Sequence, residues 1–439
     1  MTQLWEYFCA ARKLPINAVA TRRAVVSRAG CLTVRLTLTL SLKLSALCLA
    51  LPASAASLEE VVRAASTSYP SIEVARSNTE AARFQLDQAK AQHFPTVELN
   101  SQRRVAGAGP NSTQLNPTQP RLRLNLYASG ALEAGVDRES WREQSLASTE
   151  LVTRDDVAFA AAQAWFRLLR GVRQVASIRR NLDRHQLLVD DFTAIVAIDQ
   201  GRRFDLVQAR SRTETVRQTL VSGESEVAAA RDALSRFYAT PIQLATLQLP
   251  PDLPATTVAA SDDTVTQHPS VEAARRSLLS AEASVRAARS NRGPRLDLES
   301  TAGAYSSSFL LFSWPAFDLS RNAAEGAAGA SLVGARASIE EQERLIRERQ
   351  QSAASEFASA QRREAVALEQ VKLATELVEV YRAQFQIGRR NLLDLLTAFN
   401  ELFGADAALE AGRVDKSLAR YRMEYAAGRF ALLFDSRKP

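Results

Sequence analysis

Two spacings of apolar residues divide the chain. PTVELN (95–100) and RLRLNLYAS (121–129) alternate apolar and polar residues, the period of a half-buried strand. In the second, Leu122, Leu124 and Leu126 share one face, and Arg121, Arg123 and Asn125 the other. The alternation returns in PRLDLES (294–300). It is followed by AGAYSSSFLLFSWPAF (302–317), a short turn and a strand rich in aromatics at Phe309, Phe312 and Trp314. The pattern predicts two β-hairpins of about ten residues per strand, the first crossing a Gly/Asn/Pro-rich loop at 106–117.

Elsewhere the pattern is helical and very long. Ala131 to Gln200 and Asp318 to Ile387 each run without proline, and an unbroken helix of that length reaches roughly 100 Å. Apolar residues recur at coiled-coil spacing, as at Val371, Ala374, Val378, Tyr381 and Phe385. A globular core cannot cover such helices, so they pack lengthwise against one another. Both then meet the same three letters, in QGRRFDLVQAR (200–210) and IGRRNLLDLL (387–396). Gly201 and Gly388 read as C-terminal caps where one helix reverses into the next.

Sliding the chain by 199 residues aligns Tyr69–Ser101 with His268–Ser300, with ten of thirty-three positions identical and no gap. Pro70 meets Pro269, Glu73 meets Glu272 and Pro95 meets Pro294. The chain reads as a duplicated half. In each copy a helix opens after the first proline, with Ser71 or Ser270 near the cap and an acid in the first turn. It stops at the second proline.

Composition and charge then narrow the class. Ala, Leu, Arg, Glu and Gln dominate, as long helices require. The formal charge of +7 suggests a polyanion partner. Residues 1–55, however, hold seven Lys/Arg against Glu6 alone, which leaves 48 basic and 47 acidic residues after them. Nucleic acid is therefore not an expected partner. Those first residues read as a secretory signal: an Arg-bearing n-region, the apolar stretch Leu36–Leu51, and Ala53-Ser54-Ala55 as the cleavage pattern. Bulky Leu47 before Cys48 argues against a lipid anchor there. Cys9, Cys31 and Cys48 all precede the cut, and His93, His185 and His268 are scattered, so no disulfide, thiol nucleophile or metal centre is expected.

The expected organisation is a signal segment at 1–55, a helical repeat at 56–94, a β-hairpin at 95–129 and a long helical hairpin at 130–239 with its tip near 201. A Pro-rich connector at 240–267 follows. The second half comprises a helical repeat at 268–293, a β-hairpin at 294–317, a long helical hairpin at 318–431 with its tip near 388, and a tail at 432–439. No stretch after Ala56 supplies eighteen consecutive apolar residues, which excludes a transmembrane helix. The one-sided hairpins, with Tyr127, Tyr305 and Phe317 near the strand ends, carry the pattern of transmembrane β-strands. Four strands cannot close a barrel and lipid does not tolerate open edges, so membrane insertion implies several copies.

This arrangement resembles the TolC-type outer-membrane factor family over almost all of the chain after the signal segment. The most specific stretch is 381–430, where Phe385, Gly388, Asp394, Leu396, Ala398, Ala419, Tyr421 and Gly428 fit the family pattern. The resemblance implies a mainly α protein with a small β part. A long α-helical coiled-coil barrel joins transmembrane β-barrel strands, and homotrimerisation completes both. It further implies a cell outer-membrane location with a large periplasmic extension, a periplasmic adaptor (membrane fusion) protein, and an inner-membrane pump of ABC or RND type. The helical tips would form a constricted entrance. Asp394 matches an entrance aspartate and Arg390 an arginine that ties neighbouring hairpins. Asp205 is the candidate partner carboxylate, and Thr397 stands where the family has a second aspartate. Gly201, Arg202, Arg203, Gly388 and Arg389 would form the hairpin tips where the adaptor docks. The wording of NLLDLLTAFNELFGADAAL (391–409) and of 268–298 resembles members that export large proteins such as adhesins by type I secretion.

Two other classes remain to be weighed. An enzyme is not expected: there is no phosphate loop or nucleophile elbow, no cofactor is implied, and no strand precedes Gly-Arg-Arg as a nucleotide fold requires. A soluble periplasmic coiled-coil adaptor or scaffold is the alternative, and it would lack barrel strands.

Overall fold

The computed structural model describes residues 57–101, 118–251, 253, 262–303, 306–315 and 317–435. The signal segment, the loop at 106–117 and Tyr305 lie outside the described residues.

The first half opens with α1 (Leu58–Ser68) and α2 (Pro70–Ala91), then β1 (Thr96–Asn100) and β2 (Gln119–Tyr127). It continues with α3 (Ala131–Ile198) and α4 (Arg203–Ser235). After a connector holding a 3-10 turn at Leu244–Thr246 and short α5 (Asp262–Thr266), the second half repeats the plan. It comprises α6 (Pro269–Ser290), β3 (Arg295–Thr301), β4 (Ser307–Ser313), α7 (Leu319–Gln386), α8 (Leu392–Ala426) and short α9 (Phe430–Leu433). Equivalent elements match in length: α2 and α6 have 22 residues each, and α3 and α7 have 68 each. What reads as one helical repeat at 56–94 is two helices, because Pro70 cannot donate into a continuing helix and Tyr69 takes an extended backbone (φ −74°, ψ 134°).

Both α2 and α6 begin on their prolines, the first helical position, where the missing N–H costs nothing. The caps are therefore Tyr69 and His268, two residues before the serines. His268 Nδ1 accepts the Ser270 N–H at 3.2 Å.

The strands form one antiparallel sheet in the order β1-β2-β3-β4, so the two hairpins are joined through β2 and β3. They have 5, 9, 7 and 7 residues, shorter than the ten expected for all but β2. Gly303, at φ +141°, ends β3 in a turn open only to glycine. The pairing puts Val97, Leu99, Leu122, Leu124, Leu296, Leu298, Leu310 and Phe312 on one face. On the other, Arg123 meets Asp297 at 3.2 Å and Glu299 at 3.7 Å, and Asn125 Nδ2 donates to Asp297 at 2.7 Å. Only β4 breaks the alternation, since Phe309 and Leu311 share that charged face.

The helices follow the same order as the strands. Beside the sheet, α2 packs on α3, α3 on α6 and α6 on α7; farther along, α4 packs on α3, α3 on α8 and α8 on α7. The wall is four elements wide at each level. Its main core lies midway, where α1, α3, the connector and α9 meet around Trp165, Phe166, Tyr421 and Phe430. Ring pairs tie it together, including Phe159–Tyr425 stacked at 4.3 Å. Asp155 accepts the Ala431 N–H at 2.9 Å, anchoring α9 to α3. No helix among the described residues is long and apolar enough to cross a membrane.

Candidate functional site

The two Gly-Arg-Arg turns end their helices by different means. At Gly388 the φ of +76° is the left-handed conformation expected of a C-terminal cap. Its N–H reaches Phe385 O at 3.0 Å and the Arg389 N–H reaches Gln384 O at 2.9 Å, the paired bonds of a Schellman motif. Gly201 has no positive φ and lies in a 3-10 turn (Gln200–Arg202). Asp199 stops α3 instead, accepting the Gly201 N–H on Oδ1 at 2.9 Å. Glycine is suited there because a Cβ would stand 3.1 Å from that oxygen. α3 therefore ends in extended backbone at Asp199 (φ −124°, ψ 97°) without the cap expected at Gly201, and the Asp199 side chain caps the start of the 3-10 turn that follows.

An apolar cluster fuses the tips of the two hairpins. Phe192 and Leu188 from α3, Leu206 and Ala209 from α4, and Leu392, Leu395, Leu396 and Phe399 from α8 are buried together, with Phe385 and Tyr381 against them. The Arg202 guanidinium lies 5.6 Å from the ring centres of both Phe192 and Phe385, so it sits between the two hairpins. It also pairs with Asp205 at 3.2 Å. On the other tip Arg390 lies over Tyr381 at 4.5 Å, donates to Gln384 at 3.1 Å and meets Asp394 at 3.5 Å. Asn391 Oδ1 caps α8 by accepting the Asp394 N–H at 2.9 Å. Thr397 bonds back to Leu393 O on the same helix.

Within one chain the structure therefore joins Arg390 to Asp394 and Arg202 to Asp205, each inside its own tip. It does not join Arg390 to Asp205. Arg203 and Arg389 are exposed, beside exposed Ile198, Phe204, Ile387 and Leu393. Little in the residue pattern marks the roles of Phe192, Tyr381, Gln384 and Asn391. Asn391 alone was discoverable, as an Asn preceding an apolar helical run.

Behind the tips, α3 carries buried polar groups without partners. His185 is 1% exposed with neither ring nitrogen bonded, and Asn181 Oδ1 and Arg184 Nη1 are also unmatched. Burial lowers the His185 pKa, and Arg184 and Arg212 reinforce the shift, so its ring is held neutral. Midway along the wall, burial raises the Asp155 carboxyl to about 6 and lowers His268 to about 4. No group of three or more His, Cys, Asp or Glu among the described residues is placed to hold a metal.

Long paired helical hairpins continue from a small antiparallel sheet that is open on both edges. Residues 260–429 match the family model described as outer membrane efflux protein. Over that span the chain is similar to this family. Solved structures share the fold. CusC gives a TM-score of 0.75 at 17% identity, covering 84% of this chain and 91% of that one. The outer membrane protein VceC of Vibrio cholerae gives 0.73 at 15%, covering 84% and 96%. The open-state outer membrane channel MtrE of Neisseria gonorrhoeae gives 0.70 at 16%, covering 84% and 88%. Among curated proteins none matches the sequence.

Proposed function

We propose that three copies close side by side into a passive duct. Their strands would share one barrel in the outer membrane, with the helical tips forming the periplasmic entrance. The observation that carries this is a second seam on α7. Ile346, Ala353, Ala360, Ala367 and Ala374 recur every seven residues and are buried. Val366, Leu373, Val380 and Ile387 also recur every seven, yet all are more than half exposed. A heptad of apolar residues is the seam of a coiled coil, and this one has no partner among the described residues. It lies on the wall's outer helix, at the edge that ends in unpaired β4; β1, α2 and α4 form the other edge. Edge joined to edge repeats head to tail, and such a contact closes into a ring. Because β1 and β4 run in opposite directions, pairing them keeps the barrel antiparallel. The apolar face, where Leu99, Leu310 and Phe312 are exposed, then meets lipid.

The tips fit docking by a periplasmic adaptor, since exposed Ile198, Phe204, Ile387 and Leu393 mix with Arg203 and Arg389. An inner-membrane pump of ABC or RND type would drive the cargo. The wording of 391–409 favours type I export of a protein cargo over small-molecule efflux. Asp394, Arg390, Asp205 and Thr397 face the entrance in this reading, with Arg390 and the two carboxylates holding neighbouring tips together. Single-channel current in planar bilayers tests it. Asp394→Ala and Arg390→Ala are each expected to raise conductance; current unchanged from wild type at all pH values removes the gate assignment. Recovery of the protein in the soluble periplasmic fraction removes the channel reading and favours a scaffold. Export of a type I substrate in a host lacking its own duct, set against drug tolerance of the same host, separates the two cargo classes.

A further inference from the structure

A cleft lies where the two hairpins of one chain meet, above the tips. It encloses about 580 Å³, within the roughly 300–1,000 Å³ that takes a drug-sized ligand. The α3 wall presents Leu188 and Ile195, the α7 wall Val378 and Phe385, and α8 supplies a floor of Leu395 and Phe399. Such a cleft would hold an alkyl chain or a ring system.

Its polar lining is unequal. Arg202 is met by Asp205 and two aromatic rings. Arg382 and Asp191 stand 3.9 Å apart across the mouth, and Glu379 is exposed to water. Arg184 is half-buried and has no such protein partner. It makes no hydrogen bond or ion pair among the described residues, and its Nη1 is buried. The nearby carboxylate of Asp406 is already occupied by Arg180 at 2.7 Å and Ser177 at 2.8 Å. A guanidinium nitrogen buried without an acceptor is costly, and an anionic acceptor relieves that cost.

We propose that this cleft binds a single-chain amphiphile with an anionic headgroup, the headgroup on Arg184 and the chain over Leu395 and Phe399. The chemistry selects a carboxylate, sulfate or phosphate head and disfavours a cationic one. The volume favours such a molecule over a partner helix, which would need a longer trough than the twelve residues of α3 from Arg184 to Ile195 supply. An occupant touching Arg184 on one hairpin and Phe385 on the other holds both to one spacing. It therefore bears on the entrance that those hairpins form. The site is built within one chain, so the proposal does not depend on ring closure.

The test uses full-length protein in lipid nanodiscs and a diazirine-bearing decanoate as photoprobe, with the labelled peptides mapped by mass spectrometry. Labelling is expected on 187–202 and 375–402. Unlabelled decanoate should compete at a concentration at least tenfold below that of decyltrimethylammonium. Arg184→Gln should weaken labelling at least tenfold and Glu379→Gln should leave or strengthen it. Val378→Trp, which fills the cleft without touching a charge, should abolish labelling while helical circular dichroism is unchanged. It carries the test if Arg184→Gln fails to assemble. Labelling confined to the strands, equal competition by the cation, or equal labelling of the wild type and Val378→Trp overturns the proposal.

Discussion

α3 and α7 are the same length and occupy equivalent places in the two repeats, yet they are buried very differently. α3 buries Trp165, Phe166, Leu168, Leu169, Ile178 and Phe192 among many others, with α2 and α4 on one side and α6 and α8 on the other. α7 buries a single file of one isoleucine, one glutamine and four alanines, against α6, α8 and short α5. The duplication supplied two equivalent helices, and position in the wall set their chemistry. The central one is packed on both flanks by its own chain. The outer one keeps a flank for another molecule.

The sharpest way to break this comparison is to remove the bulk on which α3 depends. Trp165 is 2% exposed and packs edge-on against Phe166 at 5.1 Å. Trp165→Ala deletes the largest buried side chain of the core and should cost about 3–5 kcal/mol. The check is a fall in thermal midpoint by circular dichroism, together with lost assembly. The seam of α7 offers no equivalent, because alanines have almost nothing to delete.

Much of this could be read from the chain before the coordinates. Proline-free runs set the lengths of α3 and α7, and Pro95 and Pro294 set where helix gives way to strand. The period of two in RLRLNLY gave the faces of β2, because a strand's side chains alternate whatever it packs against. Which long helix is central was not legible. Both alternate apolar and polar residues over similar periods, and the distinction depends on neighbours far off in sequence. For the same reason Arg202 did not announce its place between Phe192 and Phe385, nor Arg184 its unmatched Nη1. The two Gly-Arg-Arg turns misled in another way. Identical letters hid different backbones, since Asp199 just before one of them offers a side-chain cap that the other lacks.

The charge buried on α3 gives a second test. Asp155 is 7% exposed and its carboxyl is raised to about 6 by burial, with Asp156 adding to the shift and the Ala431 N–H opposing it. An acid with a raised folded-state pKa holds its proton more tightly folded than unfolded. Its cost is absent below the ordinary carboxyl value of 3.8, grows as pH rises to about 6 and persists above. Asp155→Asn keeps an oxygen for the Ala431 N–H and removes the charge. It should be more stable than the wild type by on the order of 2–3 kcal/mol at pH 8 and equal to it near pH 3. A pH-independent difference would show that the gain is not electrostatic. His268, lowered to about 4 by burial, works in the opposite sense, and its cost appears as pH falls below 6.5.

The two tips divide in the same way at smaller scale. Gly388→Ala forces a Cβ into the left-handed region and should cost about 1 kcal/mol. Gly201→Ala has no such penalty and meets only the movable Asp199 carboxylate at 3.1 Å, so a few tenths of a kcal/mol is expected. Urea titration of the pair, each against wild type, distinguishes them. Equal losses would mean that both glycines act through flexibility alone.

The smallest effect on folding belongs to the change that decides what the outer face of α7 is for. Val366, Leu373 and Val380 are 67%, 59% and 51% exposed in the single chain. Replacing Val366 and Leu373 with Asp removes no buried contact, and surface changes of this kind stay within about 0.5 kcal/mol each. The helical content and thermal midpoint of the separated chain should hardly move. If the face is a seam against a neighbouring copy, the same double change places carboxylates in an apolar interface. The oligomer is then lost, which light scattering of detergent-extracted protein reads as a fall to the mass of one chain. An oligomer that survived Val366→Asp with Leu373→Asp would leave the difference between α3 and α7 without its explanation. The edge of the wall would then be covered by something other than a second copy.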